Sequence, residues 1–392
     1  MTSTLARPDV LPEESLTRFG DRAATYDREN RFFSDDFEEL RANGYLKMAV
    51  PEDLGGLGFS LAEVAAHQRR LAYRAPATAL ATNMHLYWTG VAADMRRMGD
   101  NSLEWLLKEA AAGEVFAAGH GESGNDLPLF LSTTRAERVD GGYKFYGRKM
   151  FGSLTPVWTR LGIHAMDAND AAGPQIIHAF MPRDTPGYRI DETWDTLGMR
   201  ATRSDDTVLD GAFVPDRYIA RKVPAGAPDL FVLCVFAWAE PTFGSIYLGL
   251  AKRAMDIAVE TARKRTSLAL GRSFAYHPEV QHNVAEMTFA FDAAEALVDK
   301  IADEWSRGVD HGMNWPGKLV SAKHVAVEAA KGIVDKAMAI SGGSGMFKSS
   351  ELERLYRDVR CGGFHPANSL LAPEIVGKTT LGVDLGEQPR WG

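Results

Sequence analysis

The chain has 392 residues, of which 45% are hydrophobic and 24% charged, a composition typical of a folded globular protein. Its formal net charge of −8 comes without a run of Lys or Arg, which argues against a nucleic-acid-binding protein. Two cysteines, Cys234 and Cys361, are too few for a disulfide framework, and no His, Cys or carboxylate spacing fits a metal site. We therefore expect a small-molecule partner and no metal.

The beginning of the chain has no apolar stretch behind its positive charges. It therefore predicts neither a secretion signal nor a membrane anchor, and we expect a cytoplasmic protein. The most apolar segment, residues 230–238, is shorter than the ~20 residues that a membrane-spanning helix needs. We predict a buried helix there and no membrane span.

Residues 1–118 are predicted to form an N-terminal helical domain, because apolar residues recur at helical spacing. Examples are Phe37, Leu40, Leu61, Val64, Ala65 and Leu71. One Pro and three Gly interrupt this pattern in residues 50–58 and predict a tight loop.

Residues 119–223 are predicted to form a small antiparallel β domain. Short alternating or β-branched runs, such as residues 143–146, 176–180 and 207–209, are separated by Gly, Asp and Pro. Residues 140–142, Asp-Gly-Gly, predict a hairpin turn, since glycine tolerates the positive φ that such turns require.

Helical spacing returns in residues 224–392, where long periodic stretches predict a four-helix bundle. The predicted fold class is therefore mainly α with a central β unit. The order of the domains is helices, sheet, helices.

Five local patterns follow one another along this chain. They are residues 50–58 (VPEDLGGLG), 122–136 (ESGNDL to STTRA), 140–153 (DGGYKFYGRKMFGS), 197–215 (LGMRATRS to VP) and 340–360 (ISGGSG to RDVR). In this order they resemble the acyl-CoA dehydrogenase superfamily over almost the whole chain. The resemblance implies an FAD-dependent oxidoreductase with the same order of domains.

The resemblance also implies residues that hold the flavin. Phe151 takes the place of an aromatic residue that packs on the flavin ring, and Ser153, after Gly152, takes that of a hydroxyl bonded to flavin N5. Asn125 and Asp126 lie in a loop whose backbone amides would meet the flavin pyrimidine and pyrophosphate, a role suited to a Gly-rich loop. Asn125 stands where serine is usual, and the loop is about two residues shorter than the family pattern.

The adenine end of FAD would approach Gly342 and Gly343, in the family often across a subunit contact. Arg272 or Arg265 would reach the pyrophosphate, an anion that a guanidinium suits. The resemblance thus implies a homodimer or homotetramer whose flavin site a neighbouring subunit completes.

An acyl-CoA dehydrogenase needs a carboxylate base within hydrogen-bond reach of its substrate. At the usual position of that glutamate, beyond Arg357 and Asp358, this chain has Pro366. A minority of the family places the glutamate on the first long C-terminal helix, and there Glu240 lies one residue from the matching position. Glu240 is therefore the predicted base for α,β-desaturation of an acyl thioester, with electrons leaving to an electron-transfer flavoprotein.

An alternative is a two-component monooxygenase of the same fold, which uses reduced flavin and O₂. Several such relatives carry a histidine shortly after the same helix, where this chain has His365, and a histidine can hold a proton near pH 7. Asn368 would then contact the flavin or the substrate, and a flavin reductase would be the partner. A second alternative is a binding protein that keeps the flavin scaffold without catalysis.

Overall fold

A computed structural model describes residues 8–387. Residues 1–7, part of the segment in which we predict no signal sequence, lie outside the described residues. The predicted N-terminal helices are confirmed. They are α1 (Glu13–Arg28), α2 (Ser34–Ala42), α3 (Leu61–Arg74), α4 (Pro76–Arg97) and α5 (Glu104–Ala112). Ser60 and Glu63 cap the start of α3 reciprocally, which ends the Gly-rich loop at residue 60.

Eight strands form the predicted central sheet. They are β1 (Phe116–Gly119), β2 (Arg135–Val139), β3 (Gly142–Lys149), β4 (Arg160–Asp167), β5 (Gln175–Pro182), β6 (Tyr188–Asp191), β7 (Asp206–Pro215) and β8 (Ile219–Pro224). Their order is β6-β7-β3-β2-β4-β5-β8, with β1 beside β4. Most pairs are antiparallel as predicted, but β4 runs parallel to both β1 and β2. The predicted hairpin joins β2 to β3, with Gly141 at φ +74°.

The predicted C-terminal helices are also present. They are α6 (Leu230–Lys264), α7 (Pro278–Ser306), α8 (Trp315–Ser341), α9 (Glu351–Arg360) and α10 (Ala372–Leu381). A short hairpin of β9 (Thr266–Ser267) and β10 (Arg272–Ser273) separates α6 from α7. Helix α6 is central, since it packs against α3, α4, α7 and α8.

Helix α6 is much longer than the apolar segment that predicts it. Asp229 caps the first turn, so the helix begins at Leu230, well before Pro241. Pro241 therefore lies in the interior of the helix and removes one backbone hydrogen bond there. By length and composition α6 could span a membrane, but 83% of its most apolar stretch is buried inside the protein. Each fully buried Leu or Ile of that stretch stabilises the fold by ~1.5–3 kcal/mol. The segment thus serves as a core helix, as predicted.

A glycine allows α4 to approach α6 closely. A Cβ atom at Gly90 would lie 2.1 Å from the Trp238 ring, so no larger residue fits without moving that indole. The indole nitrogens of Trp238 and Trp305 both donate to the buried Asp94 carboxylate at 2.7 Å. These contacts fix α6 and α7 on α4, and with them the part of α6 that carries Glu240.

Candidate functional site

A cavity of about 620 Å³ lies between the sheet and the C-terminal helices, a volume usual for small-molecule sites. Its walls come from the loops at residues 120–131 and 194–204, from α6, and from residues 360–371. It brings together most of the predicted site residues, namely Asn125, Asp126, Phe151, Ser153, Glu240, His365 and Asn368. Pro366 also lines it, so the position of the usual glutamate does face the cavity.

The Phe151 side chain projects into this cavity from a strained backbone. Its φ is +61°, which is costly for a residue other than glycine, and the side chain is 56% exposed. The ring approaches the Trp194 ring edge-on, with centroids 6.1 Å apart and planes at 90°. At the next residue, Gly152, a Cβ atom would lie 3.0 Å from the Asp205 carbonyl oxygen. The turn therefore holds an aromatic face open to a ligand.

Three buried hydroxyls, which we call the hydroxyl row, lie beside Phe151. The Ser153 and Ser204 oxygens are 2.7 Å apart, and the Ser204 and Thr202 oxygens are also 2.7 Å apart. Thr202 donates to the Met199 carbonyl oxygen at 2.8 Å. All three residues line the cavity.

The side chain of Asn125 is occupied within its own loop. Its amide nitrogen donates to Glu122 and to the Leu131 carbonyl at 2.8 Å, and its oxygen accepts from the Leu127 amide at 3.0 Å. Glu122 is buried against Lys149, with 2.5 Å between Oε1 and Nζ. Burial raises the pKa of Glu122, but Lys149 and the hydrogen bonds outweigh it and lower the pKa to about 2. This ion pair shapes the loop beside the cavity.

Three histidines, which we call the histidine row, extend inward from the cavity wall: the half-buried His120 and the buried His164 and His178. The ring centroids of His120 and His164 are 5.5 Å apart, and those of His164 and His178 are 6.0 Å apart. Burial lowers the pKa of all three, to about 3 for His120 and His178. Within residues 8–387, His164 Nδ1 and both ring nitrogens of His178 are buried without a hydrogen-bond partner. No group of metal-ligating side chains occurs in the same part of the chain.

Glu240 lines the cavity and also holds the loop beyond α9. Its Oε1 accepts a hydrogen bond from the Ala367 amide at 3.1 Å, and its Oε2 lies 4.0 Å from Lys323 Nζ. Lys323 donates to the carbonyls of His365, at 2.8 Å, and of Ala367. Burial raises the pKa of Glu240 to about 8 although Lys323 opposes this shift, and burial lowers the pKa of Lys323. Ala239, which stands at the family's alternative glutamate position, also lines the cavity. Glu240 therefore lies at the cavity wall although it is one residue away from that position.

His365 is neutral and its ring is fixed by two contacts. Its Nε2 lies 2.8 Å from the Tyr247 hydroxyl, and its ring stacks on Phe243 with centroids 4.6 Å apart. Burial and the Lys323 ammonium lower the pKa of His365 to about 3. Burial raises the pKa of Tyr247, so its phenol stays protonated and donates to Nε2. In the neutral ring the proton is then on Nδ1.

Helix α9 supports the opposite wall of the cavity. The Asp358 carboxylate accepts from the Met199 amide at 2.6 Å, and burial raises the pKa of Asp358 to about 6. A Cβ atom at Gly198 would lie 2.5 Å from the Arg357 carbonyl oxygen, so this glycine permits the close approach. Arg357 donates to the Leu197 carbonyl. The two motifs at residues 197–204 and 352–360 therefore contact each other and shape one wall.

Asn368 lies at the cavity wall, but its side-chain oxygen accepts from the Leu370 and Leu371 amides, which caps the turn before α10. The predicted residues that do not line the cavity are Gly152, Arg272, Gly342 and Gly343. The Arg272 guanidinium lies 4.4 Å over the Tyr276 ring, and Gly342, at φ +63°, ends α8 next to Gly343. Contact of Arg272 with the pyrophosphate, and of Gly342 and Gly343 with the adenine end of FAD, stays a prediction.

The cavity suits a flavin ring chemically. A flavin has apolar faces and a polar edge, and the cavity offers an open aromatic face at Phe151 beside hydroxyls at Ser153 and Ser204. The residues that sequence reasoning missed are Tyr247, Lys323, Thr202 and Ser204. Lys323 and Tyr247 have no local signal that sets them apart from other residues of long helices. Thr202 and Ser204 lie in the motif of residues 197–215, whose hydroxyls could have indicated them.

Comparison with known proteins agrees with this geometry. The acyl-CoA dehydrogenase N-terminal domain matches residues 16–102, and the acyl-CoA dehydrogenase C-terminal domain matches residues 242–369. The chain is 30% identical to the putative acyl-CoA dehydrogenase YdbM of Bacillus subtilis, over 89% of this chain and 90% of that protein. It is 32% identical to the amino sugar nitrososynthase DnmZ of Streptomyces peucetius, over 88% of this chain and 86% of that protein.

Among solved structures, a nitrososynthase from Micromonospora carbonacea var. africana superimposes with a TM-score of 0.83. It is 29% identical, and the match covers 96% of each chain. The matched domains, the relatives and the shared fold lead to one conclusion: the chain belongs to the acyl-CoA dehydrogenase family and is a flavin-dependent oxidoreductase.

Proposed function

We propose that the chain is a monooxygenase that uses reduced flavin and O₂ to oxidise a small organic substrate held in the cavity. The observation that carries the proposal is the replacement of the usual base. Pro366 stands at the position where the resemblance predicts a glutamate, and the preceding residue, His365, is fixed by Tyr247 and Phe243. A proline cannot accept a proton, whereas a histidine can exchange one.

Reduced flavin supplies two electrons to O₂, so that one oxygen atom enters the substrate and the other leaves as water. The residues of the cavity supply binding, orientation and protons. Phe151 would stack on the ring. His365 would pass the Nδ1 proton to a reacting oxygen while Nε2 takes the proton of the Tyr247 hydroxyl, and both protons would be restored when the substrate gives up its own proton at Nδ1. Such proton transfer by a positioned side chain typically accelerates a reaction by a factor of about 10²–10⁴.

The relatives support an amine as the substrate class. Two proteins that resemble this chain over most of their length are nitrososynthases, and the name of one identifies an amino sugar. By analogy we propose oxidation of an amine nitrogen. Electrons would come from a separate flavin reductase, and FAD would be the flavin that binds. We also propose the predicted dimer or tetramer as the working assembly.

A second candidate is α,β-desaturation of an acyl thioester, with electrons passed to an electron-transfer flavoprotein. The observation that favours it is Glu240, whose Oε2 is buried at the cavity wall without a hydrogen-bond partner among the described residues. Its pKa of about 8 keeps most of the carboxyl protonated at pH 7, so it would act as a base only in its minor, ionised form. Desaturation is therefore the second candidate.

In the first experiment the purified protein receives FAD, NADH and a flavin reductase under ¹⁸O₂, with a nucleotide-linked amino sugar or indole as the substrate. In a second, anaerobic experiment it receives oxidised FAD and butyryl-CoA. We expect ¹⁸O in an amine-derived product, a loss of about 100-fold in kcat for His365→Ala, and a much smaller loss for Glu240→Gln.

Anaerobic bleaching of the flavin by butyryl-CoA, abolished in Glu240→Gln, would contradict the proposal and support desaturation. The glutamine variant is a matched control, because its side-chain oxygen can still accept from the Ala367 amide.

A further inference from the structure

We infer that His120 is the residue of the cavity that binds the substrate nitrogen, with its imidazole accepting a hydrogen bond from an N–H group of the substrate. The inference deepens the proposed function and rests on it for the amine. Three observations carry it: the place of the His120 ring, the contacts that hold the ring, and the hydrogen bonds that its nitrogens lack.

The backbone around His120 is fixed on both sides. Strand β1 ends one residue before His120 and pairs with β4. The next residue, Gly121, forms a bridge with Met150, whose amide donates to the Gly121 carbonyl at 2.8 Å. A Cβ atom at Gly121 would lie 2.8 Å from Cδ2 of Phe151, so the backbone beside His120 packs directly against the Phe151 ring. His120 therefore lies next to the ring on which the flavin would stack.

Two ring contacts hold the His120 imidazole. Its centroid lies 5.4 Å from that of Trp88, with planes at 83°, and 5.5 Å from that of His164, with planes at 67°. Trp88 is itself buried, and its indole nitrogen donates to the Ala117 carbonyl at 3.1 Å. A ring that packed neighbours orient loses little conformational freedom when a ligand binds.

The nitrogens of this ring differ from most polar groups of the cavity wall. Within residues 8–387 the His120 ring makes no hydrogen bond, although it is half-buried and lines the cavity. By contrast, Glu122 is paired with Lys149, and His365 with the Tyr247 hydroxyl. His120 can therefore accept a hydrogen bond from a ligand without giving up one to the protein.

The charge state of His120 suits this role. Burial, His178 and the Lys149 ammonium lower the pKa of His120 to about 3, and Glu122 opposes this shift only in part. A neutral imidazole always has one acceptor nitrogen. An amine that donates its N–H to this nitrogen keeps its own lone pair directed elsewhere, as oxygen transfer to the amine nitrogen requires. His120 would thus hold the substrate nitrogen while His365 exchanges protons.

The test is equilibrium binding to protein saturated with oxidised FAD, without a reductant, so that no turnover occurs. The probes are 3-methylindole and 1-methylindole, which are isomers of nearly equal size, and only the first has an N–H group. Isothermal titration calorimetry of the wild-type protein should give a dissociation constant about tenfold lower for 3-methylindole. The reason is that the N-methyl isomer leaves the acceptor of His120 unpaired.

Variants of His120 separate hydrogen bonding from packing. His120→Phe keeps a ring against Trp88 and His164 but removes the acceptor, so the two dissociation constants should become nearly equal. His120→Asn keeps an acceptor oxygen and should retain part of the preference. Met84→Leu is the matched control, because Met84 lines the same cavity from α4, and it should preserve the ratio. Equal dissociation constants in the wild-type protein, or an unchanged ratio in His120→Phe, would overturn the inference.

A flavin also carries an N–H group that could occupy His120. In that case His120→Phe would weaken FAD binding about tenfold and leave the ratio for the two isomers unchanged, which would overturn the assignment of His120 to the substrate. We expect the dissociation constant of FAD to change less than twofold in this variant.

The two proposals fail separately. A preference for 3-methylindole without any ¹⁸O-labelled product would refute the monooxygenase while leaving the binding role of His120 intact. Labelled product from a protein without that preference would refute only the role of His120.

Discussion

The Tyr247 hydroxyl, on helix α6, lies 2.8 Å from Nε2 of His365 in the loop beyond α9. The two residues are 118 positions apart in the sequence. Because the phenol donates, it fixes both the ring orientation and the tautomer of His365.

Tyr247→Phe removes this hydrogen bond and keeps the ring. We expect kcat to fall about tenfold, because His365 loses its fixed tautomer, and the free energy of unfolding to fall by only about 1 kcal/mol. Steady-state turnover and urea unfolding measure the two effects. Tyr73→Phe is the control, since it loses a hydroxyl bond to Asp256 of the same helix at 2.9 Å and should keep full turnover. Equal activity in both variants would show that Tyr247 does not position His365.

Lys323→Met should be destabilising, because it leaves the buried carbonyls of residues 365 and 367 without their donor. We expect the free energy of unfolding to fall by about 1–3 kcal/mol, the cost of an unsatisfied buried acceptor. Lys331→Met on the same helix removes a more exposed pair with Glu328 and should cost at most about 1 kcal/mol.

A double-mutant cycle tests whether Lys323 and Glu240 act together. Adding Glu240→Gln to Lys323→Met should cost less than it does in the wild-type protein, with a coupling of at least about 0.5 kcal/mol in urea unfolding. Additive losses would indicate that the 4.0 Å approach between the two groups has no energetic consequence.

The histidine row should make the protein sensitive to acid. The folded pKa of His178, about 3, lies below the unfolded value near 6.5, so the unfolded chain binds more protons between these values. The contribution to stability is complete above pH 6.5 and is lost as the pH falls, by up to about 1.4 kcal/mol per pH unit for each histidine. His178→Leu should reduce the loss between pH 7.5 and 5.5, measured by urea unfolding at both values. An unchanged loss would mean that His178 is already protonated in the folded protein.

Asp358→Ala should loosen the loop at residues 197–203, because the buried Met199 amide then has no acceptor. We expect a cost of about 1–3 kcal/mol in the free energy of unfolding and faster proteolysis within that loop. Asp358→Asn keeps an acceptor oxygen and should stay close to the wild type in both measurements. If the two variants lose equal stability, the charge of Asp358 matters more than its hydrogen bond.

Much of the fold could be predicted from local patterns. The helical spacing, the hairpin at residues 140–141 and the buried apolar segment of α6 each depend on neighbours in the sequence, and each is present. The parallel neighbours of β4 were not predicted, because strand direction depends on how distant strands meet. The membership of the family and the oxidoreductase class are confirmed, which leaves the non-catalytic alternative without support.

The site was less accessible to sequence reasoning. Motifs place Phe151, Ser153, Glu240 and His365 around one cavity, as expected. The helical spacing of apolar residues in α8 cannot show that Lys323 contacts the carbonyls of residues 365 and 367. This contact depends on how α8 packs against the loop beyond α9. Contact between the backbone amides of the Asn125 loop and the flavin stays a prediction, while the Asn125 side chain holds its own loop.

The open ring of Phe151 has a consequence for production of the protein. Until a flavin covers it, this aromatic face remains exposed in a largely apolar cavity on a backbone that already stores strain. Flavin that binds only the native chain raises its stability by mass action. The yield of soluble protein in an expression host should therefore increase when riboflavin is added to the growth medium.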